Sequence, residues 1–136
     1  MTRTTVRRDE ITFRKIYMRL VQTRQVTTIF RPGRRLCNDP KGYCKGEIVT
    51  LRVVEKVGAD WANVPGELRD DVGEEVQILD VISKPLGLLS KEDFSGSTPD
   101  VFDHQSLMYH IGALYNLSPD ELDEKTLITK TTFRYL

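Results

Sequence analysis

The sequence contains no hydrophobic run long enough to cross a membrane, and its arginine-rich N-terminus lacks the apolar stretch of a secretory signal. No internal repeat or low-complexity segment interrupts it. Hydrophobic residues make up 39% of the chain and charged residues 29%, which is typical of a soluble globular protein. We expect a cytoplasmic protein with a flexible N-terminus at residues 1–10 and a single domain at residues 11–136.

Cysteine is scarce, which limits the structural staples and metal sites that the chain can build. Cys37 and Cys44 are the two cysteines, and their spacing matches no common zinc pattern. His104 and His110 are six residues apart, whereas paired helical ligands usually stand at i and i+4. We expect two reduced, structural cysteines, with a disulfide across the intervening loop as the alternative. No metal and no cofactor is predicted.

The net charge is zero, but the two halves of the chain differ sharply in charge. Residues 1–56 contain 14 Lys and Arg against 5 Asp and Glu, a net charge of +9, and residues 57–136 contain 6 against 15, a net charge of −9. This asymmetry indicates a face that binds a polyanion, because the local charge governs such binding. In the alternative, folding interleaves the two halves and their charges pair.

Hydrophobic patterning and turn residues predict five strands. β-branched and aromatic residues with period-two alternation mark strands, and Pro-Gly or Gly-Glu pairs mark their limits. The strands are expected at residues 11–13, 26–31, 48–54, 75–82 and 126–135. Between the third and fourth strands, residues 58–74 are predicted to form a loop that contains Trp61.

Helices are predicted before the second strand and before the last one. The first spans residues 14–23, and a single helical turn is expected at residues 90–94. A longer helix is predicted to open at Thr98-Pro99 with a core stripe at i, i+4, i+7 and i+8, and a short one to start at Ser118-Pro119. The stripe consists of Leu107, Ile111, Leu114 and Tyr115.

The element order β, α, β, β, β, α, α, β predicts an α+β fold. Long-range strand pairing with few crossover helices favours a small mixed sheet that is mostly antiparallel. Such a sheet closes into a β-barrel with the helices at its edge.

The segment 22–35 combines hydroxyl, cationic and β-branched residues before a Pro-Gly break and two further arginines. Its centre favours a strand, and its side chains offer donors suited to phosphates, carboxylates or base edges. An ordinary amphipathic strand with solvated arginines is the simpler interpretation of the same pattern.

This segment, placed after the first predicted helix, resembles the signature of the ASCH domains, a branch of the PUA-like β-barrels. The signature runs Gly-x-Lys-x-x-(Thr or Glu)-x-Arg and leads into a strand. In one alignment Gln25 stands where lysine is expected and Thr28 matches the threonine. In the other, Arg24 and Thr27 take these positions. Arg31 comes one or two residues late, and the lysine is absent in both alignments.

Other segments are also similar to ASCH domains: the turn before the third strand, the leucine-rich approach to the late helix, and the last strand (residues 43–49, 86–94 and 131–133). The resemblance covers residues 11–135 in element order. It implies a PUA-like barrel with a cleft between the barrel and its first helix. ASCH domains are widely regarded as RNA-binding modules. One branch is a small amidohydrolase of acylated cytidine nucleosides, which uses the motif lysine and threonine with a glutamate.

The leading hypothesis is therefore a nucleic-acid-binding module, with RNA or a nucleotide-like ligand as its partner. Cations would contact phosphates, threonines would bond a base or a 2′-hydroxyl, and Phe30 or Tyr43 would stack on a base. The predicted binding residues are Arg24, Gln25, Thr27, Thr28, Arg31, Arg34, Arg35, Lys41, Tyr43 and Lys45.

Two other function classes remain open. An amidohydrolase would use Thr27 or Thr28 as nucleophile, but arginine cannot replace the missing lysine as a general base. Glu47, Glu74 or Glu75 would have to supply that base. A protein-interaction module would instead use the acidic stretches at residues 67–75 and 120–124, whose simpler interpretation is solvated loops and helix caps.

Overall fold

The computed structural model describes residues 2–3, 7–56, 67–115, 117 and 120–136. Its strands are β1 (Thr2–Arg3), β2 (Glu10–Arg14), β3 (Thr28–Pro32), β4 (Ile48–Lys56), β5 (Glu67–Pro85) and β6 (Leu127–Tyr135). Its α-helices are α1 (Met18–Gln22) and α2 (His104–Tyr115), with 3-10 turns at Lys15–Tyr17, Leu86–Leu88 and Lys91–Phe94.

All the described strands belong to one curled sheet with the order β2-β4-β5-β6-β3, and β1 pairs with β5 beside this path. β2 runs parallel to β4, and every other described pair is antiparallel. The ladders shift register near Val54 and between Ile78 and Asp80, and such bulges increase the local bend of a sheet. The sheet is thus a half-barrel whose edge strands, β2 and β3, face each other across an open seam.

Alternation along the strands builds a separate core on each side of the sheet. Ile29 and Phe133 face the inside of the half-barrel, together with the apolar side chains of β2, β4 and β5. Phe30, which follows Ile29, and Ile128, five residues before Phe133 on β6, point the other way and pack under α2. Successive side chains of a strand alternate between faces, so β3 and β6 are covered on both sides.

The helix α2 covers the outer face through Leu107 and Ile111 of the predicted stripe, which are fully buried, and Tyr115 packs against the same core. The helix begins at His104 rather than at Thr98-Pro99. The Asp103 carboxylate accepts the backbone N–H of Ser106 at 2.7 Å, and the Ser106 hydroxyl in turn accepts the N–H of Asp103 at 3.0 Å. This reciprocal cap fixes the start of the helix after Asp103, five residues beyond the predicted start at Thr98-Pro99.

The fold class predicted from the sequence is confirmed: a small, mixed and mainly antiparallel α+β sheet that curls into a half-barrel, with helices beside it. Two predictions of local structure are wrong. Residues 67–74 belong to β5 rather than to a loop, and the described part of the predicted helix after Ser118-Pro119 contains turns. Ser118-Pro119 themselves, and the Trp61 part of the predicted loop, lie outside the described residues.

Parts of the N-terminal segment pair with the sheet. Thr2 and Arg3 pair with Arg69 and Leu68 of β5, and Glu10 is buried as the first residue of β2. Hydrogen bonding to a neighbouring strand is what ties such a terminus down. None of the described helices is long and apolar enough to span a membrane.

Candidate functional site

A cleft of about 640 Å³ opens at the seam between β2 and β3. Its walls come from the N-terminal segment, both edge strands, the β3–β4 loop, the end of α2 and β6. The lining residues are Arg7, Arg8, Ile11, Thr12, Ile29, Arg31, Arg35, Pro40, Lys41, Tyr43, Tyr115, Thr129 and Thr131.

Arg31 bridges the two strands at the seam. Its guanidinium donates to the backbone carbonyl oxygen of Thr12 on β2 at 2.9 Å and to that of Phe30 at 3.2 Å. A planar guanidinium has five donors, so both bonds leave donors free to reach into the cleft. Arg31 therefore helps to close the edge and also contributes charge to the cleft.

The β3–β4 loop forms one wall because it folds back on itself. Asp39 accepts the N–H of Leu36 at 2.8 Å, and the N–H of Gly42 bonds to the carbonyl of Asp39 at 3.0 Å. A Cβ at Gly42 would lie 1.8 Å from the carbonyl oxygen of Leu36, so this crossing requires glycine. The fold-back places Lys41 against the cleft.

A disulfide between Cys37 and Cys44 closes this loop, with the Cα atoms 4.3 Å apart. The prediction of two reduced cysteines is therefore wrong, and the alternative of a bonded pair holds. The sequence offered no way to decide, because only the fold-back of the loop brings the two residues together.

Tyr43 is held as part of the same wall. Its hydroxyl donates to the backbone carbonyl of Glu10 at 2.6 Å, and the Arg8 guanidinium lies 5.0 Å from its ring centroid. Burial raises the pKa of the Tyr43 hydroxyl, whereas Arg31 and Arg8 oppose that shift. Tyr43 is thus a neutral aromatic surface flanked by cations, an arrangement suited to a π-stacked ligand.

Arg35 lines the opposite part of the cleft beside α2. Its guanidinium lies 5.9 Å from the ring of Tyr115 and donates to the carbonyl of Pro32 at 3.1 Å. Its backbone N–H donates to the hydroxyl of Thr129 at 2.9 Å, and that hydroxyl donates to the carbonyl of Gly33 at 2.7 Å. Thr129 therefore positions the turn that carries Arg35.

The inner end of the cleft is neutral and largely buried. Ile11, Ile29 and Thr131 are each less than 6% exposed, and Ile29 pairs directly with Thr131 across β3 and β6. The Thr131 hydroxyl makes no hydrogen bond to a described residue. Every fully buried side-chain oxygen of the described residues has a partner, so the Thr131 oxygen is not fully buried. This oxygen is therefore accessible from the cleft and available to a ligand.

The cleft is strongly positive. Five cationic side chains line it and no carboxylate does, as far as the described residues show. Many carboxylates of the acidic half are neutralised elsewhere: Asp93 binds Lys84 at 2.7 Å and Lys130 at 3.0 Å, and Glu74 lies 3.5 Å from Arg24. Of the five lining cations, Arg8 is paired with Glu47 at 2.8 Å, so pairing reduces the positive charge of the cleft only in part.

Four of the ten predicted binding residues line this cleft, namely Arg31, Arg35, Lys41 and Tyr43. Arg34 and Lys45 belong to the same loop but lie outside the lining. Arg34 is exposed and makes a two-pronged contact with Asp39, at 3.0 and 3.1 Å. The loop therefore presents some of its cations to the cleft and others to solvent.

The remaining four predicted residues lie before β3 or at its first residue, and none of them lines the cleft. Arg24 and Gln25 are exposed at the end of α1. The Thr28 hydroxyl donates to the carbonyl of Ser95 at 3.0 Å, and the N–H of Thr27 bonds to the carbonyl of Gly96 at 2.8 Å. Phe30, proposed as a stacking residue, is 5% exposed and belongs to the core under α2.

Several lining residues escaped sequence reasoning. Arg7 and Arg8 lie in the segment expected to be flexible, and Tyr115 belongs to the stripe assigned wholly to the core. Thr129 and Thr131 carried a detectable signal, because two threonines at i and i+2 in a buried strand place hydroxyls on one face. Which residues face Thr129 and Thr131 depends on the positions of β2 and β3, and no local sequence pattern reveals those positions.

The two histidines of α2 lie outside the lining of the cleft. His104 Nε2 lies 2.7 Å from the carbonyl oxygen of Leu89. Burial lowers the pKa of His110, and Asp100, which also accepts a hydrogen bond from the Tyr17 hydroxyl, partly offsets that shift. Among the described residues, no cluster of three or more His, Cys, Asp or Glu could hold a metal ion.

No family model matches the sequence, and no curated protein matches it. Solved structures do match in shape. The ASCH domain from Lactobacillus crispatus JV V101 superposes with a TM-score of 0.50 at 11% identity, over 89% of this chain and 70% of that one. A protein from Enterococcus faecalis V583 assigned to the DUF984 family gives a TM-score of 0.49 at 13% identity, with the same coverage.

At such low identities the similarity concerns the fold. It agrees with the resemblance that the sequence signature indicates, including the order of the elements. The chain therefore folds as a divergent ASCH-like domain.

Proposed function

We propose that the protein binds nucleic acid in the seam cleft, with single-stranded RNA or a nucleotide-like ligand as its partner. One observation carries the proposal. The cleft is lined by five cations, two tyrosine rings and an accessible threonine hydroxyl, and none of the described residues contributes a carboxylate to it. The volume of about 640 Å³ lies within the range of small-molecule sites.

Polarity changes along the cleft in the way that a nucleotide requires. Arg7, Arg8 and Lys41 are exposed at the rim, where phosphates retain part of their hydration. Ile29 and Thr131 at the inner end are buried and neutral, which suits a base with one polar edge. Single strands offer such unstacked bases, whereas a duplex hides them.

RNA is favoured over DNA by the hydroxyl chemistry of the cleft and by the ASCH resemblance. Thr12 and Thr131 are on its lining, and a threonine hydroxyl both donates to and accepts from a 2′-hydroxyl. The aromatic faces of Tyr43 and Tyr115 are indifferent to base identity. We therefore expect weak sequence preference and a preference for ribose.

Amide hydrolysis, the alternative function, is less well supported by the geometry. The Thr28 hydroxyl is engaged with the Ser95 carbonyl, and neither Thr27 nor Thr28 lines the cleft. A nucleophile needs a base within hydrogen-bonding reach. Of the proposed bases, Glu47 is paired with Arg8 at 2.8 Å and Glu74 with Arg24. Release of acetate from acetylcytidine that is lost in Thr27→Val or Thr28→Val would favour the enzyme.

The binding proposal is tested with a matched pair of variants in one loop. Lys41→Gln and Lys45→Gln remove the same charge from exposed lysines, but only Lys41 lines the cleft. Binding is measured by fluorescence anisotropy with a labelled single-stranded RNA of about 12 nucleotides, a length within the range that an OB fold covers on a single strand. The titrations are repeated at several salt concentrations.

We expect Lys41→Gln to weaken binding several-fold and to reduce the slope of log affinity against log salt by about 0.7, the value for one phosphate contact on a single strand. Lys45→Gln should bind like the unmodified protein. Equal losses in both variants would mean that general surface charge, and not the cleft, attracts the RNA. If the unmodified protein shows no salt-dependent affinity for any RNA, the proposal fails.

A further inference from the structure

The disulfide lies in a wall of the cleft. The ring that it closes runs from Cys37 to Cys44 and contains Pro40, Lys41 and Tyr43, all three of which line the cleft. The cations Arg31 and Arg35, by contrast, lie on β3 and in the turn just after it. One covalent bond therefore closes a ring that carries three of the lining residues, while Arg31 and Arg35 lie outside that ring.

We propose that thiol–disulfide exchange at Cys37 and Cys44 controls ligand binding in the cleft, with the oxidised form as the tight-binding state. This inference rests on the proposed function, because it concerns the regulation of the same site. It adds a partner chemistry that the binding proposal does not contain: a dithiol reductant acting on the protein.

The bond is open to such a reductant. Cys37 is exposed and Cys44 is half-buried, so a thiolate can approach the Cys37 side of the disulfide. The incoming thiolate forms a mixed disulfide and releases the other cysteine as a thiolate. The second thiol of the reductant then displaces the first cysteine. Two electrons and two protons pass to the protein, which ends with two thiols, and the dithiol leaves as a disulfide.

Reduction removes the covalent restraint on a loop whose other restraints are hydrogen bonds. The turn at Asp39 holds the crossing at Gly42 through the Gly42 N–H, and the Tyr43 hydroxyl is tied to the Glu10 carbonyl. Lys41, between these two anchors, makes no side-chain bond to a described residue. Opening the ring therefore gives Pro40 and Lys41 more freedom, and ordering them again on binding costs affinity.

The remaining anchors predict that the loop loosens while the barrel stays folded. The buried members of both cores lie outside residues 37–44, although Tyr43 of the ring packs against the inner core. Loop-closure entropy acts on the ring itself. The effect should thus appear in binding and in local hydrogen exchange before it appears in global unfolding.

The test compares the oxidised protein, the protein reduced with dithiothreitol, and Cys37→Ser/Cys44→Ser, using the same labelled RNA. We expect reduction and the double variant to weaken binding by about tenfold each, as for two side chains released from a fixed geometry. Dithiothreitol should not change the double variant further. Reoxidation should restore the affinity of the reduced protein.

Hydrogen exchange of the Gly42 amide reports on the loop without a ligand. Faster exchange after reduction, with unchanged exchange in β4 and β6, supports the inference. Equal RNA affinity in the two redox states refutes redox control and leaves the proposed function intact. Absence of RNA binding in both states refutes the proposed function and, with it, the control of that function. If the double variant does not fold, the comparison of oxidised and reduced protein still decides the matter.

Discussion

Arg31 links the two edge strands of the half-barrel, so its removal tests whether the seam is held by side chains. The guanidinium donates to the Thr12 carbonyl at 2.9 Å and to the Phe30 carbonyl at 3.2 Å. Arg31→Met keeps much of the aliphatic stem and removes both bonds. Arg31→Lys keeps the charge but replaces the planar fork by a single ammonium group.

The expected cost follows from these two bonds. A hydrogen bond from a charged donor contributes about 1.5–3 kcal/mol, and the carbonyls at an open edge can turn to water once the guanidinium is gone. We therefore expect Arg31→Met to lower the free energy of unfolding by about 2 kcal/mol in total. For a chain of this length, that corresponds to a fall in melting temperature of about 6 °C. The free energy of unfolding of Arg31→Lys should lie between those of Arg31→Met and the unmodified protein.

Urea denaturation followed by far-UV circular dichroism measures the free energy of unfolding, and Arg19→Met is the matched control. Arg19 is exposed on α1 and lines no part of the cleft, so its substitution should leave the midpoint nearly unchanged. A midpoint for Arg31→Met equal to that of Arg19→Met would show that the seam needs no bridge. A changed urea dependence in Arg31→Met would instead indicate a more open native state.

Two further predictions concern stability and the loop. Burial raises the pKa of Asp93, but hydrogen bonds from Lys84, the Ser90 N–H and Lys130 outweigh this and hold its pKa well below the usual range. The stability that the ionised Asp93 contributes is therefore complete above the pKa of the unfolded state, about 4. It is lost as the pH falls from there towards the lower pKa of the folded state. At pH 7, Asp93→Asn should lower the free energy of unfolding by about 2 kcal/mol in urea denaturation, and the difference should narrow below about pH 5; a constant difference would contradict this. Gly42→Ala places a Cβ 1.8 Å from a backbone carbonyl, so RNA affinity should fall while the far-UV spectrum stays unchanged, and unaltered affinity would contradict the role of the fold-back.

The sequence predicts best those strands whose own residues favour the extended conformation. β4 and β6 are rich in β-branched residues with clear alternation, and both appear within a few residues of the predicted limits. The first part of β5 lies within the segment 58–74 that is predicted to form a loop. Leu68, Val72 and Val76 are nevertheless buried, since pairing with β4 fixes that segment as a strand. Tertiary pairing overrides local preference in such cases.

The candidate site was predictable only where a local run happened to reach it. The segment around β3 contains Arg31 and Arg35, which line the cleft, but also Thr27 and Thr28, which lie near the loop of Gly96. A Cβ at Gly96 would lie 2.2 Å from the Thr27 hydroxyl oxygen, so glycine permits this close approach. Sequence proximity cannot distinguish these two environments, because they lie at opposite ends of one strand.

The position of the cleft follows from how the sheet ends. A fully closed barrel would pair the backbone of β2 with that of β3 and leave no opening at this point. Here the Arg31 side chain makes the contact to Thr12 instead. Carbonyls at an edge attract cationic donors, and the cations gathered there attract an anion in turn. The positive half of the chain thus supplies both the means of bridging the seam and the positive charge of the candidate site, although the protein as a whole is neutral.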